Sequence, residues 1–214
     1  IFLGVAGMKF EVEVNEKDEA VGAELPGNNC GGCGSPGCDG LAAAIANGEA
    51  PVNACPVGGD AVGRKIAAIM GQDVVESVRK VAFVKCAGDC EKTHDTFKYT
   101  GVEECEMMAF VPGGGSKSCD YGCLGYGSCV KACPFDAIHI VNGIAVVDKE
   151  ACKACGKCVN KCPKHLIELV PYDQSVFVHC SSNAKGKAVT ENCDVGCIGC
   201  KKCEKTCPNE AIKV

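Results

Sequence analysis

Along the chain, apolar positions come in short runs broken by glycine, and few runs are long enough to build a large core. Residues 1–8 are apolar or glycine, and the "KFEVEV" that follows from Met8 onward alternates, so by itself this start reads as a buried strand entering a half-exposed one. It is far too short to cross a bilayer, which takes about 20 residues. Two helices are predicted next. Residues 39–47 take Asp39 as N-cap and Gly48 as stop; residues 60–70 take Asp60 as cap, put Val62, Ile66 and Ile69 on one face and end at Gly71. A helix-like stretch after Gly71 gives way to the loop "VPGGGSKS". Further on, "IHIV" and "IAVVD" flank Asn142-Gly143, a strong hairpin signal, and a single helical turn is predicted after Cys133-Pro134. The pattern predicts a small α+β fold of short helices and short hairpins.

Composition changes what fills such a fold. The 214 residues hold 21 cysteines, no Trp and only 5% aromatic residues, whereas a domain of this length ordinarily buries many large side chains. Disulfides are a poor account: the count is odd, and many thiols stand only three residues apart, where loop closure gains little. Thiolates holding inorganic cores fit better, because metal-binding free energy then becomes folding free energy. That reading implies a reducing compartment. The net charge of −5 argues against nucleic acid as a partner. Charge is also uneven, with a net of −4 over residues 1–30 and +4 over residues 149–205.

The strongest motif is "CKACGKCVNKCP", which places Cys152, Cys155, Cys158 and Cys162 before Pro163. This is the C-x-x-C-x-x-C-x-x-x-C-P spacing that holds [4Fe–4S] clusters in bacterial ferredoxins. Three thiolates, each pair separated by two residues, wrap a turn around one cubane, while a short helix carries the fourth to a different cluster. Such runs must therefore come in pairs. The upstream run "CDYGCLGYGSCVKACP" supplies Cys119, Cys123, Cys129 and Cys133, with Gly and Tyr where the middle thiol would be. Cys119 is the natural substitute. The expected ligand sets are Cys119, Cys123, Cys129 and Cys162 for one cluster, and Cys133, Cys152, Cys155 and Cys158 for the other. Zinc is the bland alternative for any C-x-x-C pair, but paired runs ending in Cys-Pro favour iron–sulfur.

Near the start, Cys30, Cys33, Cys38 and Cys55 form a self-contained four-thiolate set in a glycine-rich loop. The glycines allow positive φ and close approach of the backbone to inorganic sulfur. At the end, "CDVGCIGCKKCEKTCPNEAIKV" repeats the earlier array with Cys193, Cys197, Cys200, Cys203 and Cys207. "FVKC" (83–86) matches "FVHC" (177–180), "CDYGC" (119–123) matches "CDVGC" (193–197), and "CPFDAIHI" matches "CPNEAIKV". No second run follows Cys207, so the chain reads as a piece cut at both ends. Cys86, Cys90 and Cys105 fit no firm pattern; a further cluster with Cys119 or Cys180 and ordinary buried thiols stand as alternatives. Cys193 is a further possible ligand. His94, His139, His165 and His179 lack ligand spacing. The expected organisation is a lead-in over 1–24, a four-cysteine module over 25–71, a connecting segment over 72–118, a bicluster domain over 119–176 and the start of a second one over 177–214.

The order "LPGNNCGGCGSPGCDGLAAAIANGEAPVNACPVGG" followed by paired ferredoxin runs resembles the B subunits of Rnf complexes, the ion-translocating ferredoxin:NAD oxidoreductases. The resemblance covers nearly the whole chain. It implies an electron-transfer subunit with at least three [4Fe–4S] clusters, taking electrons from soluble ferredoxin and passing them to other subunits. It also implies a place on the cytoplasmic face of the cell membrane, with residues 1–8 as the remnant of an N-terminal anchor helix. The departures are the missing helix start, the missing final cysteine run and the Gly-Tyr gap. Rival readings are a polyferredoxin-type module of a soluble oxidoreductase and a zinc-stabilised scaffold. No nucleotide-binding loop is visible, so NAD binding by this chain is not expected, and no acid–base or nucleophile constellation appears. Lys149, Lys153, Lys157, Lys161 and Lys164, with Lys201, Lys202 and Lys205, are expected to form a positive rim that docks an acidic ferredoxin.

Overall fold

A computed structural model describes residues 15–73 and 78–212. The lead-in strand and anchor remnant expected over residues 1–14 lie outside these residues. Among the described residues, no helix is long and apolar enough to cross a membrane. The chain divides into two compact units, Ile1–Ser77 and Val78–Val214. The boundary cuts the expected connecting segment of 72–118, whose part from Val78 on joins both cysteine-rich arrays in the second unit.

In the first unit, the end of the acidic lead-in before Leu25 is a helix, α1 (Glu16–Glu24). Asn15 caps it by accepting the Lys17 amide at 3.1 Å. Five of its nine residues are charged and Val21 is its one large apolar side chain, which left no apolar period to read; Val21 alone is buried on it. Helices α2 (Cys38–Ala46) and α3 (Gly59–Met70) pack against α1. Neither carries the expected aspartate cap. Gly37 and Gly58 occupy the N-cap positions, while Asp39 and Asp60 sit in the first turns, where a negative charge complements the helix dipole. Gly71 ends α3 at φ 66°, as expected of a C-terminal glycine. The core is small and aliphatic: Val21, Leu41, Ile45 and Ile66, with Cys55 buried at its edge.

The second unit is built on two hairpin-like pairs. Strand β2 (Ile138–Val141) pairs antiparallel with β3 (Ile144–Val147), Ile138 opposite Val147. Asn142 and Gly143 turn the chain at φ 47° and 76°, the geometry expected of this dipeptide. The other pair joins distant segments: β1 (Lys80–Val84) runs antiparallel to β4 (Ile167–Pro171), with Lys80 opposite Pro171 and Val84 opposite Ile167. Single-turn helices α4 (Ser128–Lys131) and α5 (Lys157–Lys161) precede the two Cys-Pro corners. Val81, Ala82, Ile138, Ala145 and Ile167 form the core, and Cys129 and Cys152 are buried within it. Thiols stand where a larger protein would place aromatic rings. The last segment folds back onto β1, with Phe177 stacked on Phe83 at 4.2 Å and Cys180 bridged antiparallel to Cys86. Short helices α6 (Lys187–Thr190) and α7 (Lys202–Thr206) complete it.

Candidate metal centres

In the first unit, Cys30 and Cys33 sit on the loop after α1, Cys38 opens α2, and Cys55 closes the loop before α3. The loop is held by Asn29, whose side-chain oxygen accepts the Cys38 amide at 2.7 Å. Gly37, at φ 114°, passes so close that a Cβ there would stand 2.9 Å from that oxygen. The Cys55 sulfur accepts the Gly58 amide at 3.3 Å. Burial pushes the Cys55 thiol up, the Gly58 and Val57 amides pull it back, and the neighbouring Cys30 and Cys38 thiols raise it further. The expected four-cysteine set therefore stays together, with Cys33 and Cys38 packed against the same core.

Cys133, Cys152, Cys155 and Cys158 line one cavity between the β2–β3 hairpin and the loop before α5. The Ala82 amide donates to Cys152 Sγ at 3.3 Å and the Ala137 amide to Cys133 Sγ at 3.4 Å. Burial, with the thiols of Cys152, Cys155 and Cys133 close by, pushes Cys158 up to about 11. This is the set that the spacing predicts, with Cys133 crossing over from the upstream run.

The reciprocal set differs from expectation. Cys123, Cys129 and Cys162 line a cavity with Cys105, not with Cys119. Cys105 lies on a 3-10 helix (Cys105–Phe110) anchored by buried Met108. Its neighbours clamp it to both short helices: Glu104 pairs with Lys131 of α4 at 3.0 Å, and Glu106 with Lys161 of α5 at 2.8 Å. The Cys105 amide also donates to Ser128 Oγ at 3.0 Å. Burial and the thiols of Cys123, Cys105 and Cys162 push Cys129 up to about 12. Cys105 thus brings a fourth thiol to this cavity, which Tyr126 does not supply.

Cys119 lines a separate cavity of about 250 Å³ together with Cys86, Cys180 and Cys193. The repeat held the clue to this exchange. Cys119 matches Cys193, and Cys193 precedes a run that keeps its middle thiol at Cys200. The Cys119 position is therefore not a replacement for a missing middle thiol. Cys90 is exposed beside Gly143 and lines none of these cavities. Cys200 and Cys203 are exposed, and the last run, Cys197 to Cys207, forms no enclosed set among the described residues. His94, His139 and His165 line none of these cavities, while His179 borders the one around Cys119.

The donor chemistry fits iron–sulfur clusters. Each enclosed set offers four thiols, and amide N–H groups point at sulfurs in each, which is how cluster sites are stabilised. Among the described residues, no three Cys, His, Asp or Glu side chains converge tightly enough for a single metal ion. A cubane holds its thiolates further apart than one zinc ion does. Burial, with neighbouring thiols, raises Cys129 and Cys158, and binding iron would release those protons.

Comparison with known proteins agrees with the site chemistry. Residues 25–57 match the family described as "Putative Fe-S cluster", residues 115–164 a "4Fe-4S dicluster domain" and residues 196–213 a "4Fe-4S binding domain". The chain is 45% identical over 215 residues to the B subunit of the ion-translocating oxidoreductase complex of Methanosarcina acetivorans, covering 100% of this chain and 81% of that one. It is 42% identical to the B subunit of the proton-translocating ferredoxin:NAD(+) oxidoreductase complex of Clostridium ljungdahlii, covering 100% and 76%. The Na(+)-translocating counterpart of Acetobacterium woodii is 48% identical, covering 92% of this chain and 59% of that protein.

Proposed function

The chain belongs to the family of B subunits of ion-translocating oxidoreductase complexes, and from that premise we propose that it relays electrons from reduced ferredoxin through its thiolate-bound [4Fe–4S] clusters to other subunits. Cys30, Cys33, Cys38 and Cys55 hold one cluster. Cys133, Cys152, Cys155 and Cys158 hold a second, and Cys105, Cys123, Cys129 and Cys162 a third. The observation that carries the reading is the exchange of ligands between runs: Cys133 and Cys162 each line the cavity of the other run's thiols. That interlock sets two sites side by side, as a relay requires.

Bound clusters supply one-electron storage, and the chain's own residues tune and shield it. The Ala82, Ala137 and Leu166 amides donate to Cys152, Cys133 and Cys162 at 3.3 to 3.4 Å. Such bonds favour the more negatively charged, reduced state and raise the potential. Val84, Ile140 and Ile167 close the Cys129 side and Ala82, Ile138 and Val147 the Cys152 side, excluding water. NAD reduction is left to other subunits, and association with them places the chain at the membrane.

Ferredoxin docks on the face around Lys153 and Lys157. Both enter no ion pair among the described residues, and Lys153 borders the Cys152 cavity. Lys161 is engaged by Glu106, and the Lys164 ammonium donates to the Asp120 carbonyl at 2.8 Å. The test is anaerobic stopped-flow mixing of reduced ferredoxin with the iron-loaded chain. Cluster bleaching at a rate that falls with added salt is the expected result; no electron uptake, or stoichiometric zinc without acid-labile sulfide, overturns the reading.

A further inference from the structure

Four cysteines remain that the ferredoxin pair does not use and that lie close together. Cys86 follows β1, and Cys180 bridges to it across an isolated antiparallel contact. Cys119 and Cys193 each begin the same tight turn: the Gly122 amide donates to the Cys119 carbonyl at 3.1 Å, and the Gly196 amide to the Cys193 carbonyl at 3.3 Å. In sequence these are two matched pairs. Cys86 stands in "FVKC" as Cys180 stands in "FVHC", and Cys119 opens "CDYGC" as Cys193 opens "CDVGC". The internal repeat thus supplies two thiols from each copy to one cavity of about 250 Å³.

We propose that Cys86, Cys119, Cys180 and Cys193 hold a further [4Fe–4S] cluster, assembled across the two copies of the repeat. Cys86, Cys180 and Cys193 lie outside all three matched cluster domains. Three features beyond the thiols suit the cavity to such a group. Gly88 leaves room where a Cβ would stand 3.1 Å from Cys193 Sγ and 3.9 Å from Cys86 Sγ. The Cys123 and Ser182 amides donate to Cys86 Sγ at 3.3 Å and Cys180 Sγ at 3.5 Å. Ser181 Oγ, on the cavity lining, is shielded from solvent with no hydrogen-bond partner, leaving a donor for cluster sulfide. A single zinc ion would leave most of that volume unfilled.

The two copies are also joined mechanically at this place. Thr93 and Ser118 hydroxyls both donate to the Asn192 carbonyl, at 2.9 and 3.1 Å, and the Asp194 amide donates to the Lys92 carbonyl at 2.9 Å. A cluster at this position therefore staples the last segment to the body, and its binding free energy stabilises that docking. Cys123 links it to the neighbouring site, since its amide touches Cys86 Sγ while its own thiol lines the Cys129 cavity. One electron lost by one cluster is gained by the other, with no further reactant.

The test uses the full chain with Cys200→Ser and Cys203→Ser, so that the exposed last run binds nothing, purified anaerobically. Native mass spectrometry should count four clusters. Adding Cys180→Ser and Cys193→Ser should remove one cluster, about four irons and four sulfides, and Cys90→Ser none. Should the quadruple variant fail to fold, the count on its parent still decides: three clusters, or three clusters and one zinc, overturns the proposal. Loss of clusters from the other three sites would instead count against the relay itself.

Discussion

The backbone amide of Cys123 donates to Cys86 Sγ at 3.3 Å, so one peptide group touches two thiolate sites. Paramagnetic clusters at that proximity couple. Reduced chain should give a broadened EPR spectrum with interaction between the Cys86 site and the Cys123 site. Cys180→Ser with Cys193→Ser should sharpen the Cys123-site signal and leave the Cys152-site signal in place. An unchanged line shape would place the two sites too far apart to exchange electrons directly.

Cys105 and Cys119 compete for one role on paper, and substitution separates them. Cys105→Ser should destabilise the cluster held with Cys123, Cys129 and Cys162, while Cys119→Ser should spare it. Iron, sulfide and EPR spectra of the two variants check this. Glu106→Gln should weaken the same cluster more mildly, since it frees one of two solvent-exposed clamps and leaves the other in place. If Cys119→Ser removes the Cys129-site signal and Cys105→Ser does not, Cys119 and not Cys105 is the fourth ligand.

Gly125 has φ 78°, and a Cβ there would run into the Gly143 carbonyl. The loop that carries Cys123 and Cys129 thus rests directly on the β2–β3 turn. Gly125→Ala should cost about 1–3 kcal/mol from backbone strain alone, lowering the melting temperature of the anaerobic holoprotein by several degrees. Gly48→Ala, at a positive φ with open space around it, should cost less. Equal effects would mean that the contact with Gly143 contributes nothing.

Docking of ferredoxin is read by charge reversal. Lys153→Glu with Lys157→Glu should slow electron uptake roughly tenfold at low salt, with the defect shrinking as salt rises. Adding Lys161→Glu should bring a second defect of a different kind, cluster loss at Cys105, because Lys161 pairs with Glu106 at 2.8 Å. A double variant that takes up electrons at the normal rate in low salt would move the docking face elsewhere.

Much of the chemistry was legible along the chain, because cluster ligation by three thiolates, each pair separated by two residues, is a local property. Within the set of Cys30, Cys33, Cys38 and Cys55 and the set of Cys133, Cys152, Cys155 and Cys158, three thiols share one loop, and a single helix or hairpin returns the fourth. The Asn142-Gly143 turn was legible for the same reason: its dihedrals depend on two residues. The first helix was not, since a segment with five charged residues in nine and Val21 as its one large apolar side chain shows no period.

Tertiary structure decided which distant thiol completes each remaining site. Cys105 reaches the Cys129 cavity through ion pairs from Glu104 and Glu106, contacts that no spacing encodes. Cys119 is drawn instead to Cys86, Cys180 and Cys193, because β1 and the last segment stack Phe83 on Phe177 and bring the two copies of the repeat face to face. Spacing along the chain determines the thiols that belong to a paired motif, Cys133 and Cys162 included; a thiol outside any motif, such as Cys105, is selected by the packing of the elements that carry it.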